Sequence, residues 1–251
     1  MRPTWVAALF VLLALLAGLP ARAAEEATEV WPELNLYKKT SATTRLYFVA
    51  AYAENKDSQL GTLDLAGYFD LTLKPILRPS LRVQDWQGRR YFWIRLGYDH
   101  VFKTEDRDSK ETSEHRGIVA VHGRTWLPGQ ILVEGRLRAD LRWIGSEYST
   151  RYRARLEVNR DFEVKGRTVT PYLQIEPFYD TRYDDWSRVL YQVGAEIQVR
   201  KLLHSDKGRD FRVEWQNRAH FRLEPYVALQ VDWRPEHAVV TAFGIVARWY
   251  F

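Results

Sequence analysis

The sequence contains no cysteine in 251 residues. A chain exported from the cell then gains nothing from disulfides, and hydrogen bonding has to hold its fold. A membrane-crossing helix is missing too. The longest apolar run, Trp5 to Leu16, falls short of the roughly 20 residues such a helix needs, and no later stretch approaches that length. Nor is there a large excess of one charge. The 37 basic residues face 32 acidic ones, and setting aside Arg2 and Arg22 of the N-terminal segment leaves 35. This balance is not that of a nucleic-acid-binding chain. No internal repeat, linker or second domain stands out. What is present is dense and interleaved charge of both signs, which asks for an internal explanation.

The two ends read consistently. Arg2 gives a positive start, Trp5 to Leu16 is apolar, Gly18 and Pro20 break the run, and Ala21-Arg22-Ala23 offers small residues at the cleavage positions. Residues 1–23 are expected to be a secretory signal peptide, leaving 24–251 as one domain. At the other end, Phe251, Trp249, Ala247, Ile245 and Phe243 alternate along a final strand whose last residue is aromatic. Phe243, Ile245, Trp249 and Phe251 have the form of the assembly signal of Gram-negative outer-membrane barrels. Deleting Phe251 is expected to impair insertion.

From Trp31 onward the apolar period is two, not 3.6. In 131–143 the odd positions read Ile131, Val133, Gly135, Leu137, Ala139, Leu141, Trp143, while the even ones include Glu134, Arg136, Arg138, Asp140 and Arg142. Leu137→Arg should therefore disturb insertion more than Arg138→Leu. Such runs exceed the roughly 5–6 residues typical of soluble strands and reach the 9–11 or so that a tilted membrane strand requires. Aromatics gather where they end, at Trp31, Trp126, Trp143, Tyr148, Trp186, Trp233, Trp249 and Tyr250, as interfacial girdles demand. Candidate strands are 31–38, 44–54, 61–74, 89–102, 114–126, 130–144, 148–161, 167–180, 186–201, 221–233 and 238–251. With 209–218 added, the expectation is an all-β, antiparallel, up-and-down transmembrane barrel of about twelve strands, ten remaining open. That count clashes with the loops: only if 209–218 is instead a periplasmic insertion, with 31–38 left over, does the Lys103–Glu114 connection lie away from Phe251 and the Pro128-Gly129 turn on its side.

The face opposite the apolar one carries Arg45, Arg95, Arg136, Arg138, Arg142, Arg151, Arg153, Arg155, Arg188, Arg200 and Arg222, with Glu134, Asp140, Glu157, Glu176, Glu196 and Glu224. One explanation is a porin-like, anion-selective lumen, since Arg binds carboxylate and phosphate bidentately. The other is a salt-bridge network filling a narrow barrel, which mixed signs favour. Arg138, Arg153 and Arg155 are then expected to pair with acids such as Asp140, Glu157 and Glu176. Asp180, Asp184 and Asp185 lie close in sequence but lack EF-hand spacing and a turn Gly, so they read as a solvated loop. Trp186-Ser187-Arg188 faintly resembles the serine region of outer-membrane phospholipases. The His two residues before that Ser is absent, and Ser113 precedes His115 rather than following it. His122 shares its face with Arg116 and Arg124. No catalytic, metal or cofactor site is identified.

Trp31-Pro-Glu-Leu-Asn-Leu-Tyr-Lys-Lys, Arg89 to Tyr98 with Asp85-Trp86, Pro171-Tyr172 with Glu176, Phe178 to Arg188, and Arg222-Leu-Glu-Pro-Tyr226 resemble an uncharacterised family of Gram-negative outer-membrane β-barrels, known only as a domain of unknown function. The resemblance spans the chain after the signal peptide, makes Leu202–Arg218 an insertion, and implies a barrel without supplying an activity. The expected place is the cell outer membrane, with outer-membrane lipid, lipopolysaccharide and the barrel-assembly machinery as partners and no nucleic acid. Alternatives are an outer-membrane lipid-modifying enzyme and a soluble periplasmic ligand-binding barrel.

Overall fold

The structure is a computed structural model and describes residues 25–41, 43–55, 61–73, 91–104, 113–165, 167–199, 220–234 and 237–251. The expected signal peptide and the candidate strand 209–218 lie outside these residues. Among the described residues there are twelve strands: β1 (Glu25–Lys39), β2 (Thr44–Asn55), β3 (Gly61–Thr72), β4 (Phe92–Thr104), β5 (Glu114–Leu127), β6 (Ile131–Ile144), β7 (Glu147–Arg160), β8 (Phe162–Val164), β9 (Arg167–Asp180), β10 (Asp185–Val199), β11 (His220–Asp232) and β12 (Ala238–Tyr250). Apart from β8, which pairs only with β9, each pairs with the next in sequence order, β7 pairing with β9, and β12 pairs with β1, so the sheet closes on itself. Closure satisfies the backbone groups that an open sheet leaves on its edges.

The closed barrel has eleven strands plus one extra. The extra one is β8. It meets β9 in the same register as β7 does, with Asn159 opposite Tyr172 and Phe162 opposite Val169. It therefore prolongs β7 past Asp161, whose carboxylate accepts from the Thr170 hydroxyl at 2.7 Å. Each of the eleven long candidate strands from the alternation pattern corresponds to one barrel strand. The odd number has a geometric consequence. Every other junction is antiparallel, so β1 and β12 run parallel, with Glu25 opposite Ala238 and Tyr37 opposite Tyr250.

The strand ends flanking 105–113, and the turns 145–146 and 181–184, share one rim with the start of β1. The end of β1, the start of β2 and the turn 128–130 share the other with Phe251, whose backbone exchanges hydrogen bonds with Tyr37 and Lys39 at 2.9 and 3.1 Å. Glu114 thus sits away from Phe251 and Pro128-Gly129 on its side, the placement expected when 209–218 is not counted as a strand. Gly145, at φ 60°, opens a two-residue β6–β7 hairpin, where the favoured turns require positive φ.

Strand parity separates two surfaces. The outer one is apolar all round the sheet: Leu34, Phe48, Leu65, Leu96, Val119, Leu137, Leu156, Ile175, Val227 and Phe243 are all exposed. Aromatic pairs stand near its rims, Trp143 with Tyr148 and Tyr179 with Trp186 at one, Phe221 with Trp249 at the other. A shallow depression of about 340 Å³ lies over Ala139 and Ala154, bordered by Tyr152, Tyr179 and Trp186.

Candidate functional site

The inward surface is built from the other parity of the same strands, and its charges meet in named groups. Nearest the rim opposite Phe251, Arg142 donates to Asp180 at 2.6 Å and also binds Glu114. Arg151 joins Asp180 at 2.9 Å. Arg116 spans Glu114, Asp99 and Asp64 at 2.7, 3.2 and 3.4 Å. Midway along the bore, Glu176 accepts from Arg136 and Arg153 at 2.6 and 2.8 Å. Asp140 binds Arg138 and lies 3.7 Å from Arg153. Glu134 takes Arg124 at 2.6 Å and Arg155 at 3.3 Å. On β10 to β12, Arg248 bridges Glu196 at 3.1 Å and Glu224, Arg222 binds Glu196, and Arg188 forks onto Asp232.

These pairs share their partners. Most carboxylates serve two guanidiniums and several guanidiniums serve two carboxylates, so neither sign accumulates. Neutral groups extend the chain: the Tyr172 hydroxyl donates to Glu224 at 2.6 Å and accepts from Gln192 at 2.6 Å. Many links skip a strand, as Arg136 of β6 reaching Glu176 of β9 across β7 does. The side chains therefore lean over their neighbours and thicken the wall inward. The acids are deeply shielded: Asp70 and Asp180 are 0 % exposed, and Asp99, Asp140 and Glu176 are 1 % exposed. The wall with few charges is closed by small residues, Ala228, Ala242 and Val246 being buried as well.

Near the Phe251 rim four tyrosines form a cross-strand stack. Tyr250, Tyr37, Tyr47 and Tyr68 follow one another at 4.6, 4.3 and 5.1 Å between ring centroids. Guanidiniums cap the rings: Arg45 lies 4.4 Å over Tyr37, Arg95 4.4 Å over Tyr47, and Arg222 5.5 Å over Tyr250. Asp70 then joins Arg45 and Arg95, the latter at 2.7 Å. A delocalised cation gains from an aromatic face and from a forked carboxylate contact at once.

The structure brings together nearly all the inward charges expected from sequence. Arg138 meets Asp140 and Arg153 meets Glu176, whereas the ion pair of Arg155 is with Glu134. Glu157 accepts from Asn159 at 2.9 Å. Arg200 lies outside the described residues. Sequence reasoning missed Asp64, Asp70, Asp99, Glu114, Asp180 and Asp232 as partners, and missed the tyrosine stack. The signal for Asp64, Tyr68 and Asp70 was available, since they alternate with Leu63, Leu65 and Phe69 along β3.

The remaining candidates separate. His122 points inward, 1 % exposed, stacked on Trp93 at 4.5 Å and 3.5 Å from Glu134. Ser187 is buried at the β10 bulge, its hydroxyl 3.5 Å from the Phe178 carbonyl. Asp184 accepts from Tyr179 at 2.6 Å and Asp185 pairs with Arg234 at 3.3 Å. In the same turn Arg182 is held above its ordinary pKa by its hydrogen bond to Glu147. Among the described residues, no three His, Cys, Asp or Glu converge as a metal site.

No family model matches the chain, and no curated protein does. Among solved structures it is similar to the beta domain of the Bordetella autotransporter BrkA, at 12 % identity over 84 % of this chain and 82 % of that one, with a TM-score of 0.40. The barrel stands on the strand pairing described above rather than on that likeness.

Proposed function

We propose that this chain is a Gram-negative outer-membrane β-barrel whose lumen is closed by its own arginine–carboxylate network. It serves at the cell surface through a rim rather than as an open pore. Burial carries this reading. Asp70, Asp99, Asp140, Glu176 and Asp180 occupy inward strand positions yet expose 1 % or less. Carboxylates lining a water-filled channel would be wet. The width agrees: about eight strands leave room only for side chains and 16–18 leave a channel, and long Arg, Glu and Tyr side chains suit the interior between those limits.

The outer-membrane placement rests on the outward face. An unbroken apolar belt exposing Leu137 at 66 % and Phe243 at 52 % is far more than a soluble monomer presents. Hydrocarbon accepts it, because a closed ladder pairs its backbone groups between strands and leaves no open edge. Outer-membrane lipid, including lipopolysaccharide, is then its solvent, and the barrel-assembly machinery its route. A surface ligand would be met around the turn of Asp180 to Asp185 and the ends of the Lys103–Glu114 connection.

Planar-bilayer recording of the refolded chain tests the closed lumen. The expected result is no stable conductance. A stable, anion-selective conductance that weakens on Arg153→Ala would establish a porin-like lumen instead.

A further inference from the structure

On the outer wall, close below the rim that includes the turn 181–184, two imidazoles stand side by side. His100 of β4 and His115, the second residue of β5, are direct cross-strand partners, and their parity turns both away from the lumen. Their Nδ1 atoms are 2.9 Å apart, and the rings meet edge to face at 73° with centroids 4.3 Å apart. The Tyr98 hydroxyl, on the same face of β4, reaches the same Nδ1 of His115. Two imidazole nitrogens and one phenol oxygen from two strands meet at the Nδ1 of His115. The setting is otherwise apolar. Leu65 and Trp143 are the next residues across on β3 and β6, and the Phe102 ring lies 4.0 Å from that of His100. An ionisable residue on a membrane-spanning segment is uncommon and commonly marks function.

We infer that His100, His115 and Tyr98 form a surface site for a divalent transition metal, Cu²⁺ first and Zn²⁺ second. Imidazole nitrogens bind such ions at about 2.0–2.1 Å, so two of them on one ion lie about 2.9 Å apart at a right angle and about 3.4 Å apart in a tetrahedron. The 2.9 Å observed matches the right-angled arrangement, which with nitrogen and oxygen donors is the preference of Cu²⁺. The ladder fixes the spacing, so the site needs no backbone movement to close. Tyr98 is 52 % exposed, and the open side admits water to complete the coordination.

The test uses the full, tag-free chain refolded in detergent and titrated with Cu²⁺ alone, followed by calorimetry and by electron paramagnetic resonance. The expected result is one ion per chain with two nitrogen ligands in the spectrum. His115→Gln should weaken binding at least about tenfold, since even partners outside the first ring of ligands contribute that much. His100→Gln/His115→Gln should remove the site, and Tyr98→Phe should keep two nitrogens with a smaller loss of affinity. His220→Gln/His237→Gln should change nothing. Retained heat-modifiable gel mobility reports folding of each variant, and the wild-type spectrum decides the ligand number without them. A wild-type isotherm equal to that of the His100/His115 double variant would overturn the site. So would a spectrum with fewer than two nitrogens, or binding lost on His220→Gln/His237→Gln.

Discussion

At Gly244 on the inner face of β12, a Cβ would stand 2.0 Å from Cζ of Tyr226, whose ring lies flat across the strand. Its hydroxyl then reaches the Trp31 carbonyl of β1 at 3.5 Å. Tyr68 lies over Gly97 in the same way, 2.2 Å from the Cβ position there. A large ring inside a narrow barrel has to lie along the wall, and the neighbouring strand has to yield the space. Gly244→Ala is therefore expected to cost about 1–3 kcal/mol, the usual range for forcing an extra methyl into a packed interior. Tyr226→Ala removes the obstacle, so the double variant should cost less than the sum of the two single ones. Urea unfolding in lipid vesicles measures all three, and strict additivity would mean the ring does not cover Gly244. The glycines were visible in the sequence as gaps in the alternation. Their reason was not, because it depends on which tyrosine the register sets beside each.

The faces of each strand were legible, and β6 shows how far. Leu137 is 66 % exposed, and its neighbour Arg138 binds Asp140 and approaches Asp99 to 3.9 Å. Leu137→Arg puts a charge in hydrocarbon and should cost about 2–4 kcal/mol near the midplane. Arg138→Leu should be the milder change, now for a specific reason. Asp140 keeps Arg153 at 3.7 Å and Asp99 keeps Arg116 at 3.2 Å, so neither buried carboxylate is left alone. Folding titrations in lipid compare the two, and equal or reversed costs would remove the inside–outside assignment of β6. Partner choice was the illegible part. Parity places Arg155, Glu134 and Glu157 on one side, but only the pairing of β6 with β7, with Glu134 opposite Glu157 and Arg136 opposite Arg155, offers Arg155 two acids to choose between. Links that skip a strand, such as Arg142 to Asp180, depend on the curvature of the closed sheet, which no single strand encodes.

The strand number belongs to the whole molecule, and it could not be read locally. An even count brings both terminal strands together antiparallel, whereas eleven strands force them parallel. The residues at that junction carry its marks. Pro32, opposite Ile245 in an unbroken ladder, has no N–H to donate, and the β1–β2 ladder on its other side is interrupted there. Tyr226 and the backbone bonds of Phe251 reach over to β1 from the other side. The parallel register sets Leu34 beside Ala247, both on the outer face. Paired strands lie about 4.7–4.9 Å apart, inside the roughly 4.4–6.8 Å range of Cα separations that a disulfide spans. The chain has no cysteine of its own, so Leu34→Cys/Ala247→Cys should oxidise to a single intramolecular link that closes almost the whole barrel into a ring. The link would be read as a reductant-sensitive shift of the denatured chain on a gel. Leu34→Cys/Phe243→Cys serves as the control. It displaces one partner four residues along the strand, about 13 Å at 3.3 Å per residue, and should stay unlinked. Linking of the control in place of the in-register pair would mean that β1 meets β12 in another register or direction, and the closed eleven-strand count would fall with it.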